Sequence, residues 1–172
     1  MLWHLAMLRR DGGWPGDAAA LLERSLAITR EVDDRRGQAQ ILLELGKVRT
    51  DEGRLEEADA LLASSMEAWP LATEHPGFRA KALHALAQLR FRQRRLDQAA
   101  DYFTRAAILW QGLGAQALQA LSLTALGDTL TAAGRRKEAH AARQRALALR
   151  RRQDPPEQAS TATQLRPGRD DA

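Results

Sequence analysis

The sequence predicts an all-α fold, a solenoid of four stacked helix–turn–helix hairpins, and three observations predict it. Of 172 residues, 44% are hydrophobic, 28% charged and only 5% aromatic. That supplies apolar surface for a core but few of the aromatic side chains that strands favour. A turn position recurs at Gly13, Gly53, Arg94 and Gly134, in steps of 40, 41 and 40 residues. The neighbours of that position recur with it, which separates a repeat from a chance spacing.

The units run over about residues 1–34, 35–75, 76–115 and 116–152. In each, a first helix carries a leucine followed by a small residue: Leu5–Ala6, Leu45–Gly46, Leu86–Ala87 and Leu126–Gly127. Three residues before each of those leucines stand Leu2, Leu42, Leu83 and Leu123. Behind the turn, Ala18, Ala58, Ala99 and Ala139 hold matching places on the second helix. In the second unit Ile41, Leu42, Leu45 and Val48 step by three and four residues, an apolar stripe on one helical face. Gly53 suits the left-handed end of that helix, and Leu55, Ala58, Leu61, Leu62, Ser65, Met66 and Trp69 continue the stripe on the next. Pro70 and His75–Pro76–Gly77 close the unit. The third unit repeats the pattern with Leu83, Leu86 and Leu89, then Leu96, Ala99, Tyr102, Phe103, Ala106 and Trp110. Trp69 and Trp110 recur in register and are expected to be structural. Small residues let paired helices approach closely, and the apolar face left over requires each hairpin to stack on its neighbour.

The two ends differ. Met1 lies only five residues before Ala6, so the first helix is short and its Leu2, Trp3, Leu5 and Met7 are expected on an open end. That favours a homo-oligomer or N-terminal docking onto a larger assembly. In the last helix Arg136, Arg143 and Arg150 replace the large apolar residues of earlier units and, seven apart, share one face. A polar outer face is what a terminal repeat needs. Residues 153–172, with Asp154–Pro155–Pro156 and Pro167–Gly168, have too little apolar material to offset ordering and are expected to be a disordered tail.

Little catalytic chemistry is visible. The sequence contains no cysteine, which removes disulfides, thiolate metal sites and cysteine nucleophiles. The four histidines have no metal-ligand spacing. Gly46–Lys47 is not a phosphate loop, since Ile41 stands where the first glycine belongs and Val48 where Ser or Thr belongs. No enzyme activity, cofactor or metal is expected. No stretch reaches the roughly 20 apolar residues of a membrane span, and no secretory signal opens the chain, so the expected location is cytoplasmic.

Leu45–Gly46, Ala58, Leu62, Leu126–Gly127 and Ala139 resemble the tetratricopeptide repeat family. The phrases Glu31-Val32-Asp33-Asp34-Arg35-Arg36-Gly37 and Gly53-Arg54-Leu55-Glu56-Glu57-Ala58 are similar to its longer variant of about 40 residues. That variant is found in bacterial signalling ATPases, antibiotic-pathway regulators and kinesin-light-chain-type proteins. The resemblance implies a right-handed α-solenoid whose first helices line a concave groove holding a protein or peptide. Carried over by position, the groove takes Trp3 and Met7 from the first unit and Lys47 and Thr50 from the second. The third supplies Lys81, His84, Gln88, Phe91 and Arg92, and the fourth Asp128 and Thr131. This mixed surface with a basic middle suits an acidic segment or a terminal carboxylate. Lys81 and His84 read more readily as solvated surface than as ligand contacts, and Phe91 equally as packing against the next hairpin. The chain contains no asparagine, which disfavours the lysine–asparagine clamp of the chaperone-binding members.

Two other readings stand beside the scaffold. The basic last helix could contact nucleic acid, although no aromatic is interleaved with its arginines and no recognition motif is present. The array could instead be a structural or oligomerisation module.

Overall fold

The computed structural model describes residues 2–69 and 75–153. It contains α1 (Leu2–Asp11), α2 (Pro15–Glu31), α3 (Arg35–Asp51), α4 (Leu55–Ala68), α5 (Pro76–Arg92), α6 (Leu96–Gly112), α7 (Gln116–Ala132) and α8 (Arg136–Gln153). No strand occurs among the described residues. Each helix packs on its neighbours in sequence, and α3 also meets α5. The fold is an all-α solenoid of four hairpins.

One backbone device makes all four hairpins. Gly13, Gly53 and Gly134 have φ of 83°, 78° and 77°, and Arg94 adopts the same left-handed conformation at 62°. The amide after each donates back to a carbonyl five residues earlier: Trp14 to Arg9, Arg54 to Arg49, Arg95 to Arg90 and Arg135 to Leu130, at 2.8–2.9 Å. This satisfies helix-end carbonyls that would otherwise be orphaned and reverses the chain. Starts are more varied. Pro15 and Pro76 open α2 and α5, where a missing N–H costs nothing. Asp34 caps α3 by accepting from the Gly37 amide at 2.9 Å.

The small residues do hold the helices close. A Cβ added at Gly46 would lie 2.6 Å from Leu62 Cδ2, and one at Gly127 would lie 2.7 Å from Arg143 Cγ. Ala6, Ala58, Ala87 and Ala99 are fully enclosed. Three apolar clusters bridge the hairpins. The first joins Leu22 and Leu26 to Leu42, Leu45 and Val48. The second places Leu62 among Leu43, Phe78 and Leu89. The third packs Phe103 with Leu123, Leu126 and Leu130. At about 25 cal/mol per Å² of apolar area, this burial between units is the main force holding the stack.

Several expectations need correction or lie elsewhere. Trp69 is the C-cap of α4, with extended backbone, and from there still packs against the core cluster that holds Leu62. Met66, expected in the stripe of α4, is exposed, whereas Leu5 is exposed as the open first helix implies. Gln153, expected in the tail, ends α8. Pro70 and the rest of the expected tail, 154–172, lie outside the described residues.

Candidate functional site

Two cavities open on the face built by the first helices. One, of about 180 Å³, lies across α1, α3 and the start of α5. Its walls are Trp3, Leu43, Trp69, His75 and Phe78, with Gln40, Glu44 and Lys81 at the edge. Trp69 stacks on Phe78 with ring centroids 3.9 Å apart and meets His75 edge-on at 5.8 Å. The Trp3 indole Nε1–H is buried and has no hydrogen-bond acceptor, a state that costs about 1–3 kcal/mol. The second cavity, of about 200 Å³, lies across the far ends of α3, α5 and α7. Phe91 and Phe103 form its apolar part, with Asp51, Gln88, Arg92 and Asp128 around them.

The groove residues expected from sequence distribute over these features. Trp3 and Lys81 line the first cavity. Thr50, Gln88, Phe91, Arg92 and Asp128 line the second. Met7 packs instead against the core of the first three helices. Thr131 is exposed beside neither cavity, and its hydroxyl donates to Gly127 O at 2.8 Å. Thr50 is 3% exposed and its hydroxyl donates to Gly46 O, also at 2.8 Å, so it offers a wall and not a free hydroxyl.

The expected basic middle is weaker than the sequence suggests. Lys47 Nζ and Arg10 Nη1 both donate to Glu44 Oε2 at 2.7 Å. Glu44 is only 9% exposed, and this bridge ties α1 to α3. His84 is not solvated surface. Its Nδ1 lies 3.0 Å from Ser122 Oγ and its ring meets Phe103 edge-on at 5.1 Å. Burial pushes its pKa down to about 4, and the nearby Lys47 charge adds to the shift, so the imidazole is neutral near pH 7. Lys81 and Arg92 are left as the cations of this face without an ion-pair partner among the described residues.

Residue-by-residue carry-over missed Trp69, His75 and Phe78. The available signal was three aromatic rings within ten residues around one turn. Trp69 had been matched to Trp110, but Trp110 is 5% exposed in the core while Trp69 borders a cavity.

Two arginines of α8 lean back over α7. Arg143 donates to Asp128 at 2.9 Å, and Arg150 reaches Thr124 Oγ1 at 3.4 Å. Among the described residues no helix is long and apolar enough to cross a membrane, and no group of three potential metal ligands occurs.

Comparison with known proteins fits this arrangement. Residues 78–152 match the tetratricopeptide repeat family. BtubC (BKLC) from P. vanneervenii superposes with a TM-score of 0.76 at 22% identity, over 99% of this chain and 67% of that one. A Podosopora anserina kinesin light chain with nearly identical TPR-like repeats gives 0.63 at 20% identity, over 90% of this chain and 75% of that one. At such identities the likeness is one of fold. No curated protein matches the sequence. The last two hairpins therefore match the tetratricopeptide repeat family, and the chain as a whole shares the fold of tetratricopeptide-like solenoids.

Proposed function

We propose that the chain is a scaffold that binds a protein or peptide along its first-helix face, as part of a cytoplasmic bacterial regulator. Tetratricopeptide arrays mediate protein–protein contacts and are typically not enzymes. One observation carries the finer reading: two partly apolar cavities on one face, each edged by a cation that has no ion pair among the described residues. Lys81 serves the first and Arg92 the second. Both stand on α5, eleven residues apart, or about 16 Å along the helix. An extended segment covers that span in about five residues. The expected ligand therefore carries two large apolar side chains about five residues apart, with acidic groups near them.

The test is a crosslinked pull-down from the native cytoplasm, run beside Lys81→Glu/Arg92→Glu and Phe91→Ala. A partner retained by the wild type and lost by both variants supports the groove. For its isolated segment, Phe91→Ala should cost about tenfold in affinity or more. Unchanged capture by both variants would mean that the partner binds another surface.

A further inference from the structure

The second-helix face carries a different feature, visible when the hairpin junctions are compared in register. Four residues before the left-handed turn stand Arg49 and Arg90 in the second and third units. Each is a strut between hairpins. Arg49 reaches back to Glu23 of α2 at 2.8 Å and holds Glu52 at 2.7 Å. Arg90 donates to both carboxylate oxygens of Asp59 on α4, at 2.8 and 3.0 Å. That hydrogen bonding holds the Asp59 carboxyl below its usual pKa, against the effect of burial. Their side chains are only 12% and 14% exposed, so they fill the space they bridge.

The last junction lacks the strut. Leu130 occupies the arginine register, and Ala100 and Thr104 occupy those of Asp59 and Glu23. A cleft of about 490 Å³ opens there between α6 and α8. Its floor is Ala100, Leu123, Leu126, Leu130 and Ala142. Its lips differ in charge. Asp97 and Asp101 stand on the α6 lip, Arg135 and Arg145 on the α8 lip. Arg135 is already held by Glu138 at 2.7 Å and reaches Asp97 across the mouth of the cleft at 3.5 Å, whereas Arg145 has no ion pair among the described residues. Asp101 has only an exposed contact with Arg105, one turn along its own helix, at 3.4 Å. One turn beyond Thr104 on the same ridge, Ile108 is 61% exposed.

We propose that this cleft is a self-association surface, occupied by the α6 ridge of a second copy of the chain. A two-fold contact requires both complementary parts on one surface. This face has them: an apolar knob at Ile108 beside an apolar cleft, and a carboxylate lip beside a guanidinium lip. Across the two-fold axis Asp101 of each copy meets Arg145 of the other, and the ridge carrying Ile108 lies over the leucine floor. The groove on the first-helix face stays free, so this surface is independent of the peptide reading.

Sedimentation velocity over a wide concentration range, with charge reversal, tests the proposal. The wild type should dimerise. Arg145→Glu alone and Asp101→Arg alone should each weaken the dimer at least about tenfold, since each creates two like-charge contacts. An equimolar mixture of the two variants should dimerise again as a heterodimer, because both crossed pairs become attractive. Ala100→Asp/Leu130→Arg, which restores the strut, should give a folded monomer by circular dichroism. If that variant fails to fold, the charge-reversal mixture decides the question alone. A wild type that stays monomeric overturns the proposal and leaves the cleft to a different chain. A dimer indifferent to both reversals overturns it as well, by placing the contact elsewhere.

Discussion

The α3–α4 and α7–α8 hairpins solve the same packing problem and finish it with opposite side chains. In both, a glycine on the first helix lets the second come close, at Gly46 and Gly127. Over Gly46 lies Leu62, 1% exposed and packed in one cluster with Phe78 and Leu89 of the next hairpin. Over Gly127 lies Arg143, its side chain 45% exposed and its guanidinium paired with Asp128. The glycine sets the distance between helices whatever covers it. The covering residue answers to what lies on its far side: apolar where another helix seals it, cationic where water reaches it.

The sharpest test of that contrast is truncation. Leu62→Ala should lose about 2–5 kcal/mol of stability, the cost of a cavity in a sealed core. Arg143→Ala should lose less than about 1 kcal/mol, since an exposed ion pair contributes little. Urea denaturation of both variants measures the difference, and equal losses would break the comparison.

A second test sits where α5 meets the last hairpin. His84 is neutral in the fold because burial lowers its pKa from 6.5 to about 4. Its contribution is complete above pH 6.5 and is lost as pH falls toward 4, because the unfolded chain binds the proton first. Between pH 7 and 4.5 this should remove on the order of 2 kcal/mol. The check is the pH slope of stability, which His84→Gln should flatten by that amount relative to wild type.

The smallest effect concerns the glycines themselves. Gly46→Ala drives a Cβ into Leu62, which has no room to retreat, at a cost of about 1–3 kcal/mol. Better helix propensity offsets roughly 1 kcal/mol of this. Gly127→Ala presses mainly on the flexible stem of Arg143 and should stay within about 0.5 kcal/mol of wild type once the same propensity gain is counted. Thermal melts of the two variants give the ranking, and the reverse order would show that α7 and α8 are as rigidly set as α3 and α4.

The fold was legible because its determinants are local or periodic. A turn every 40 or 41 residues, an alanine after it and a small residue before it appear in any register alignment. The faces were legible less completely. Lys47 looked like a free cation because its partner Glu44 lies on the same helix, where sequence shows neighbours but not which of them is buried. The further tie to Arg10 spans 34 residues. His84 looked solvated because Ser122, which encloses it, is 38 residues away. The aromatic cavity was hidden by an alignment that equated Trp69 with Trp110, although one ends a helix and the other lies inside one. The missing strut at Leu130 shows only after Arg49 and Arg90 are known to bridge hairpins.

Arg94 carries one more consequence. It takes the left-handed backbone that glycine takes in the other three units, at a penalty of roughly 1–2 kcal/mol for a side-chain-bearing residue. What is inherited from unit to unit is therefore the sign of a dihedral angle, and the letter that encodes it can drift. A lineage can rewrite such a turn and absorb the penalty in the surrounding core, keeping the shape while the spelling decays. That is how a chain can share only 22% of its residues with another solenoid and still superpose with a TM-score of 0.76.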